Sequence, residues 1–151
     1  MANEIEWVYG SSIALETSGG TITNSGFNSG DGSSITTSGH GDWPLCDLEI
    51  YYAGHGTGAL VGRQVVNVYR QAMDMVGGSN DAAAPSATNK TLYVGSFALW
   101  QSMASASTGY FHLPNVPLCN ACIFWIENTT GQQMNSAWSL TARPKSYIPG
   151  A

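Results

Sequence analysis

The stretch Asp47-Leu48-Glu49-Ile50-Tyr51-Tyr52-Ala53 decides the fold. Leu48, Ile50 and Tyr52 face one way and Asp47, Glu49 and Tyr51 the other, the period-two pattern of a half-buried strand. Three glycines in Gly54-His55-Gly56-Thr57-Gly58 end it. Upstream, residues 4–9 form a first candidate strand, with Ile5, Trp7 and Tyr9 on one face. Downstream, further strands are expected over residues 64–70, 91–100, 110–113, 121–127 and 136–143. Gly95 marks a bulge or bend in one of them, and Pro114 stops another. Trp125 and Trp138 fall in the last two runs, read as a hairpin that would make them cross-strand neighbours. Helical character is confined to residues 71–76 and dies at Gly77-Gly78, and residues 80–89 read as loop. Frequent turn signals and no strand–helix–strand rhythm predict an all-β chain, an antiparallel β-sandwich of jelly-roll or Greek-key type with long loops.

The 151 residues fit one domain, 1–151, with 43% hydrophobic and 11% aromatic residues to fill a core. Only 10% are charged, against about 25% in an ordinary soluble domain, and Gly, Ser, Thr and Asn take their place. Such a surface repels itself weakly and suits a protein packed against neighbours. Net charge is −5, and the basic residues Arg63, Arg70, Lys90, Arg143 and Lys145 are scattered, which argues against direct nucleic-acid binding. No apolar run reaches the ~20 residues of a membrane helix, so no membrane partner is expected. Met1-Ala2-Asn3-Glu4 opens no signal peptide, so synthesis in a cytosol is expected.

No catalytic residue, cofactor or metal is expected. His40, Asp42 and His55 lie in glycine-rich loops whose separation nothing fixes, and they read as solvated; His112, within an apolar strand, reads as a partly buried histidine. No Gly-x-Ser-x-Gly elbow supports nucleophilic catalysis. Glu4/Glu6 and Asp47/Glu49 have strand i, i+2 spacing and mark a solvent face before they suggest a glycosidase pair. Cys46, Cys119 and Cys122 are odd in number, and Cys119-Asn120-Ala121-Cys122 runs into apolar Ile123-Phe124-Trp125-Ile126, so packed thiols are expected rather than zinc or a redox pair. Asn89-Lys90-Thr91 and Asn128-Thr129-Thr130 match glycosylation sequons, and the tryptophans raise carbohydrate stacking as a rival to core filling.

Residues 17–41 are dominated by Gly, Ser, Thr and Asn, with Ile22, Phe27 and Ile35 as the large apolar side chains. Ordering each residue costs about 1–2 kcal/mol of backbone entropy, and so few apolar groups cannot offset that alone. An N-terminal extended arm is expected, with Ile22, Phe27 and Ile35 as partner contacts on a neighbouring subunit, the alternative being a mobile loop between Tyr9 and Asp47.

About 80 residues of the C-terminal half carry a family resemblance. Val66-Asn67-Val68-Tyr69 precedes a polar loop, and Tyr93-Val94-Gly95-Ser96-Phe97 opens a strand. Leu113-Pro114-Asn115-Val116-Pro117-Leu118 leads to an aromatic strand, Phe124-Trp125-Ile126-Glu127-Asn128-Thr129-Thr130-Gly131 makes a strand and turn, and Leu140-Thr141-Ala142-Arg143-Pro144 closes the domain. This half resembles the capsid decoration, or cement, proteins of tailed bacteriophages, which have a jelly-roll fold. The resemblance implies a structural virion protein on the capsid surface, with the major capsid protein and copies of itself, as a homotrimer, for partners. A protein that binds only the expanded shell stabilises it by mass action. The rivals are a tail, baseplate or tail-fibre module binding a receptor or glycan, and a small β-sandwich enzyme.

Overall fold

The computed structural model describes residues 6–28, 35–36, 43–60, 64–72, 83–90, 93–100, 103–118 and 121–148. Every regular element among them is a strand: β1 (Glu6–Tyr9), β2 (Ile13–Gly19), β3 (Phe27–Asn28), β4 (Ile35–Thr36), β5 (Leu45–Tyr52), β6 (Val65–Ala72), β7 (Tyr93–Ala98), β8 (Gly109–Pro117), β9 (Ala121–Asn128) and β10 (Trp138–Ile148). β1 and β2 follow one another along the same edge of β10, which pairs on its other side with β5, and β5 pairs with β8. β3 and β4 likewise lie along β9, followed by β6 and β7. All pairings are antiparallel, and they join the first strand to the last, the second to the seventh, the third to the sixth and the fourth to the fifth when each broken edge counts as one. That nesting is the double Greek key of a jelly roll, as the sequence predicts.

Alternation builds the core. In β5, Cys46, Leu48, Ile50 and Tyr52 are buried while Leu45, Asp47, Glu49 and Tyr51 are half-exposed. They meet Trp138, Leu140 and Ala142 of β10, and, from the opposite sheet, Val66, Val68, Phe97, Phe124 and Ile126. Cys46 and Cys122 are buried thiols, and burial, with Asp47 adding to it, pushes the Cys46 thiol up to about 12. Cys119 lies outside the described residues.

Several sequence expectations need correction. β9 and β10 are not a hairpin: they lie in different sheets, so Trp125 and Trp138 are not cross-strand neighbours. Trp138 is in the core, while Trp125 pairs with Tyr69 on the other sheet and donates to Gln71 Oε1 at 2.8 Å. Gln71 and Ala72 belong to β6, and residues 73–76 lie outside the described residues. β8 does not stop at Pro114, because it is an edge strand with a bulge there: Cys46 faces Val116 and Leu48 faces Leu113. Nor does β10 end at Arg143. Its Pro144 carbonyl accepts the Gly10 N–H at 2.8 Å, so the missing proline N–H faces the same side, where β1 and β2 are interrupted. β2, whose alternation is broken by register shifts against β10, has no clean sequence pattern.

The described part of residues 17–41 lies along its own subunit. Ile22 is buried in the core and pairs with Met134 through both backbone bonds, so it is no anchor on a neighbour. Phe27 is half-buried, its ring 5.7 Å from that of Tyr69, and Ile35 holds a backbone position opposite Cys122. Hydrogen bonds to β9 and to the 129–137 connection supply what the sparse apolar residues cannot.

Candidate functional site

The outer face of the β1–β10–β5–β8 sheet collects the charged and aromatic side chains that its strands do not bury. Register sets them in rows: Tyr9 beside Lys145, Arg143 beside Asp47, Thr141 beside Glu49 and His112, and Ser139 beside Tyr51 and Tyr110. Asp47 and Glu49 therefore do mark an outer face, but not a merely solvated one, whereas Glu4 lies outside the described residues and Glu6 alternates with outer-face Trp7 and Tyr9. Asp47 Oδ1 receives the Lys145 ammonium and, at 2.9 Å, the N–H of Asn115, the bulge residue of β8. Asn115 has φ 59°, which turns that amide toward Asp47. Lys145 is buried, its Nζ 4.9 Å from the Trp7 ring centroid and 6.0 Å from that of Tyr9. Arg143 lies over Tyr9 at 4.6 Å. His112, expected to be partly buried, is exposed, with Nε2 3.3 Å from Glu49 Oε2.

A hollow of about 310 Å³ opens between these rows, lined by Tyr9, Ser12, Asp47, Glu49, His112 and Arg143 among others. It sits where the edge strand breaks between β1 and β2, the break that Pro144 faces. Aromatic side chains flank the sheet at both edges. Trp7 and Tyr147 meet edge-to-face at 6.4 Å on the β1 side. On the β8 side Tyr110 lies 5.1 Å from Tyr51, and Trp100 lies 5.2 Å from Phe111.

The opposite sheet carries a second polar cluster, which the sequence reading missed. Glu127 is buried; it accepts from Asn67 Nδ2 at 2.9 Å and Tyr69 Oη at 2.6 Å, and it pairs with Lys90. Burial alone would raise its pKa, but the Asn67 amide, the Lys90 ammonium and the Tyr69 hydroxyl outweigh that and hold the carboxyl below its ordinary range. Burial and the Glu127 charge push the Tyr69 hydroxyl up. Ser96 donates to Asn67 Oδ1 at 2.7 Å and is itself bonded to Tyr93 Oη. The adjoining hollow, about 540 Å³, is therefore walled by polar groups that already bond one another. The readable signal was Glu127 inside an apolar run, opposite Asn67 and Tyr69 at i, i+2.

The loop histidines do not converge as described groups. His40 and Asp42 lie outside the described residues, and His55 is buried, not solvated, at the end of the sandwich. There His55 N donates to Ser105 O, Gly56 N to Gln133 O and Asn135 N to Gly54 O, tying three inter-sheet connections together. Among the described residues no three of His, Cys, Asp and Glu gather into a metal-ligating group. Asn128 of the second sequon is buried, its Nδ2 donating to Ile22 O and Gln132 O, so it cannot accept a glycan.

No family model matches the chain, and no curated protein matches it. Among solved structures it is similar to mud crab tombus-like virus, determined by cryo-electron microscopy at 3.3 Å, with 15% identity, 99% of this chain and 82% of that chain covered, and a TM-score of 0.27.

Proposed function

We propose that the chain is a structural virion protein that works by lateral association, and at a finer level a decoration protein bound as a homotrimer to a capsid surface. One observation carries the reading: large aromatic side chains stand exposed beside both edge strands of one sheet, with Trp100 reaching β8 from the connection that follows β7. Trp7 and Tyr147 are 43% and 54% exposed at the β1 edge, and Trp100 and Tyr110 are 60% and 61% exposed at the β8 edge. Tryptophan and tyrosine are the side chains that anchor interfaces. Two different patches on opposite flanks suit a head-to-tail contact, in which the β1 edge of one copy meets the β8 edge of the next and closes a ring. The low charge of the chain leaves little repulsion to overcome, and a shell with which the ring is in register would add the binding energy that stabilises both.

The test uses two double variants, Trp7→Ala/Tyr147→Ala and Trp100→Ala/Tyr110→Ala, followed by multi-angle light scattering and co-sedimentation with emptied heads. Each variant alone should be monomeric, and an equimolar mixture should stop at the heterodimer, because only one complementary pair of edges survives. Head binding by either variant should drop by tenfold or more. A variant that still forms the native oligomer, or a wild-type chain that is monomeric and ignores heads, overturns the reading.

A further inference from the structure

We propose that the hollow at the β1–β2 interruption is a binding site for neutral carbohydrate, one hexose ring of a glycan at a time. A sugar ring presents an edge of hydroxyls, each both donor and acceptor, beside an apolar C–H face. A site for it needs carboxylate acceptors and fixed cationic donors within one small concavity, beside a flat wall. Here Asp47 and Glu49 supply the acceptors, Arg143 the donor fork, and Ser12 and Thr141 hydroxyls, all around one hollow of about 310 Å³. The Tyr9 ring, with Arg143 Cζ 4.6 Å from its centroid, supplies the flat wall by its uncovered edge.

Rigidity supports the assignment. The carboxylates and Arg143 stand on strands, and each is held by a neighbour: Asp47 by Lys145 and the Asn115 amide, Glu49 by His112, Arg143 by the Tyr9 ring. Groups so fixed lose little freedom when a ligand arrives. Charge selects the class. Asp47 is already paired with Lys145 behind it, and Glu49 faces Arg143 across the hollow, so neither a phosphate nor a cation is singled out and a neutral polyhydroxylated ligand fits. The hollow opens on the outer face of the sheet, and its test reads ligand binding where that of assembly reads oligomeric state, so the two can fail separately.

Saturation-transfer NMR on the full chain, with the methyl glycosides of glucose, galactose, mannose and sialic acid as probes, tests the proposal. An array of neutral and sialylated oligosaccharides follows it. At least one neutral glycoside should show transfer, and the array should be dominated by neutral glycans. Glu49→Gln and Arg143→Met should each weaken that binding at least about tenfold while melting as the parent does. Tyr93→Ala, on the other sheet, should leave it unchanged. Binding to sialylated glycans alone, no binding to any probe, or neutral binding indifferent to Glu49→Gln and Arg143→Met would each overturn it.

Discussion

At the scale of single residues, two buried charges, Lys145 and Glu127, are each met by an opposite charge. Lys145 is roofed by Trp7 and Tyr9 and paired with Asp47; Glu127 is roofed by its own partners, Lys90 and Tyr69. Period-two spacing made Asp47 and Glu49 legible as a face, yet nothing in the sequence joined them to Arg143 and Lys145, because that contact depends on β10 lying next to β5. His112 was misjudged for a related reason: an apolar strand at a sheet edge still has a wet face. Glu127 yields a pH prediction. Its carboxyl holds its proton less readily in the folded chain than in the unfolded one, so its contribution to stability is complete above the ordinary value of 4.5 and is lost as pH falls through the lower native one. Glu127→Gln should cost about 1–3 kcal/mol near neutrality, since it leaves Lys90 without a counter-charge and Tyr69 with a weaker acceptor. The gap between parent and variant in urea melts should narrow as pH drops below that value, and a gap that stays constant down to pH 3 would contradict the assignment.

At the scale of elements, strands with clean alternation, β5 above all, were readable, and strands bent by bulges or crossed by proline were not. Pro114 and Pro144 look like stops in one dimension. In three, one sits at a bulge on an edge strand and the other faces a break in its neighbour, so neither removes a hydrogen bond that the sheet needs. β2 hides for the same reason in reverse: its shifts bury the adjacent Leu15 and Glu16 and erase the period of two. Its last residue gives a sharp test. A Cβ on Gly19 would stand 2.0 Å from Cε2 of the fully buried Trp138, whose indole N–H donates to Gly20 O at 2.8 Å, while a Cβ on Gly20 would meet nothing within 4 Å. Gly19→Ala should therefore destabilise by at least about 2 kcal/mol and disturb the tryptophan near-ultraviolet signal, and Gly20→Ala should stay within about 0.5 kcal/mol. Equal effects at the two positions would show that Trp138 is not packed as described.

At the scale of the whole molecule, the nested pairing decides how the chain comes together. The last strand, β10, is a central one, between β1 and β2 on one side and β5 on the other. Pairings of such long sequence separation place folding in the slow range of β proteins, milliseconds to seconds. A chain ending at Ala137 should show no cooperative urea transition and should bind a hydrophobic dye, and the peptide 138–148 supplied separately should restore the transition; a truncated chain that unfolds cooperatively by itself would refute this. The position of β10 also sets the order in which the surface forms during folding. Trp7 meets Tyr147, and Tyr9 meets Arg143, only once the final strand has docked. The β1-edge patch and the hollow beside Tyr9 therefore take shape together when β10 docks, so a chain that has not yet placed β10 lacks both of the surfaces proposed for binding.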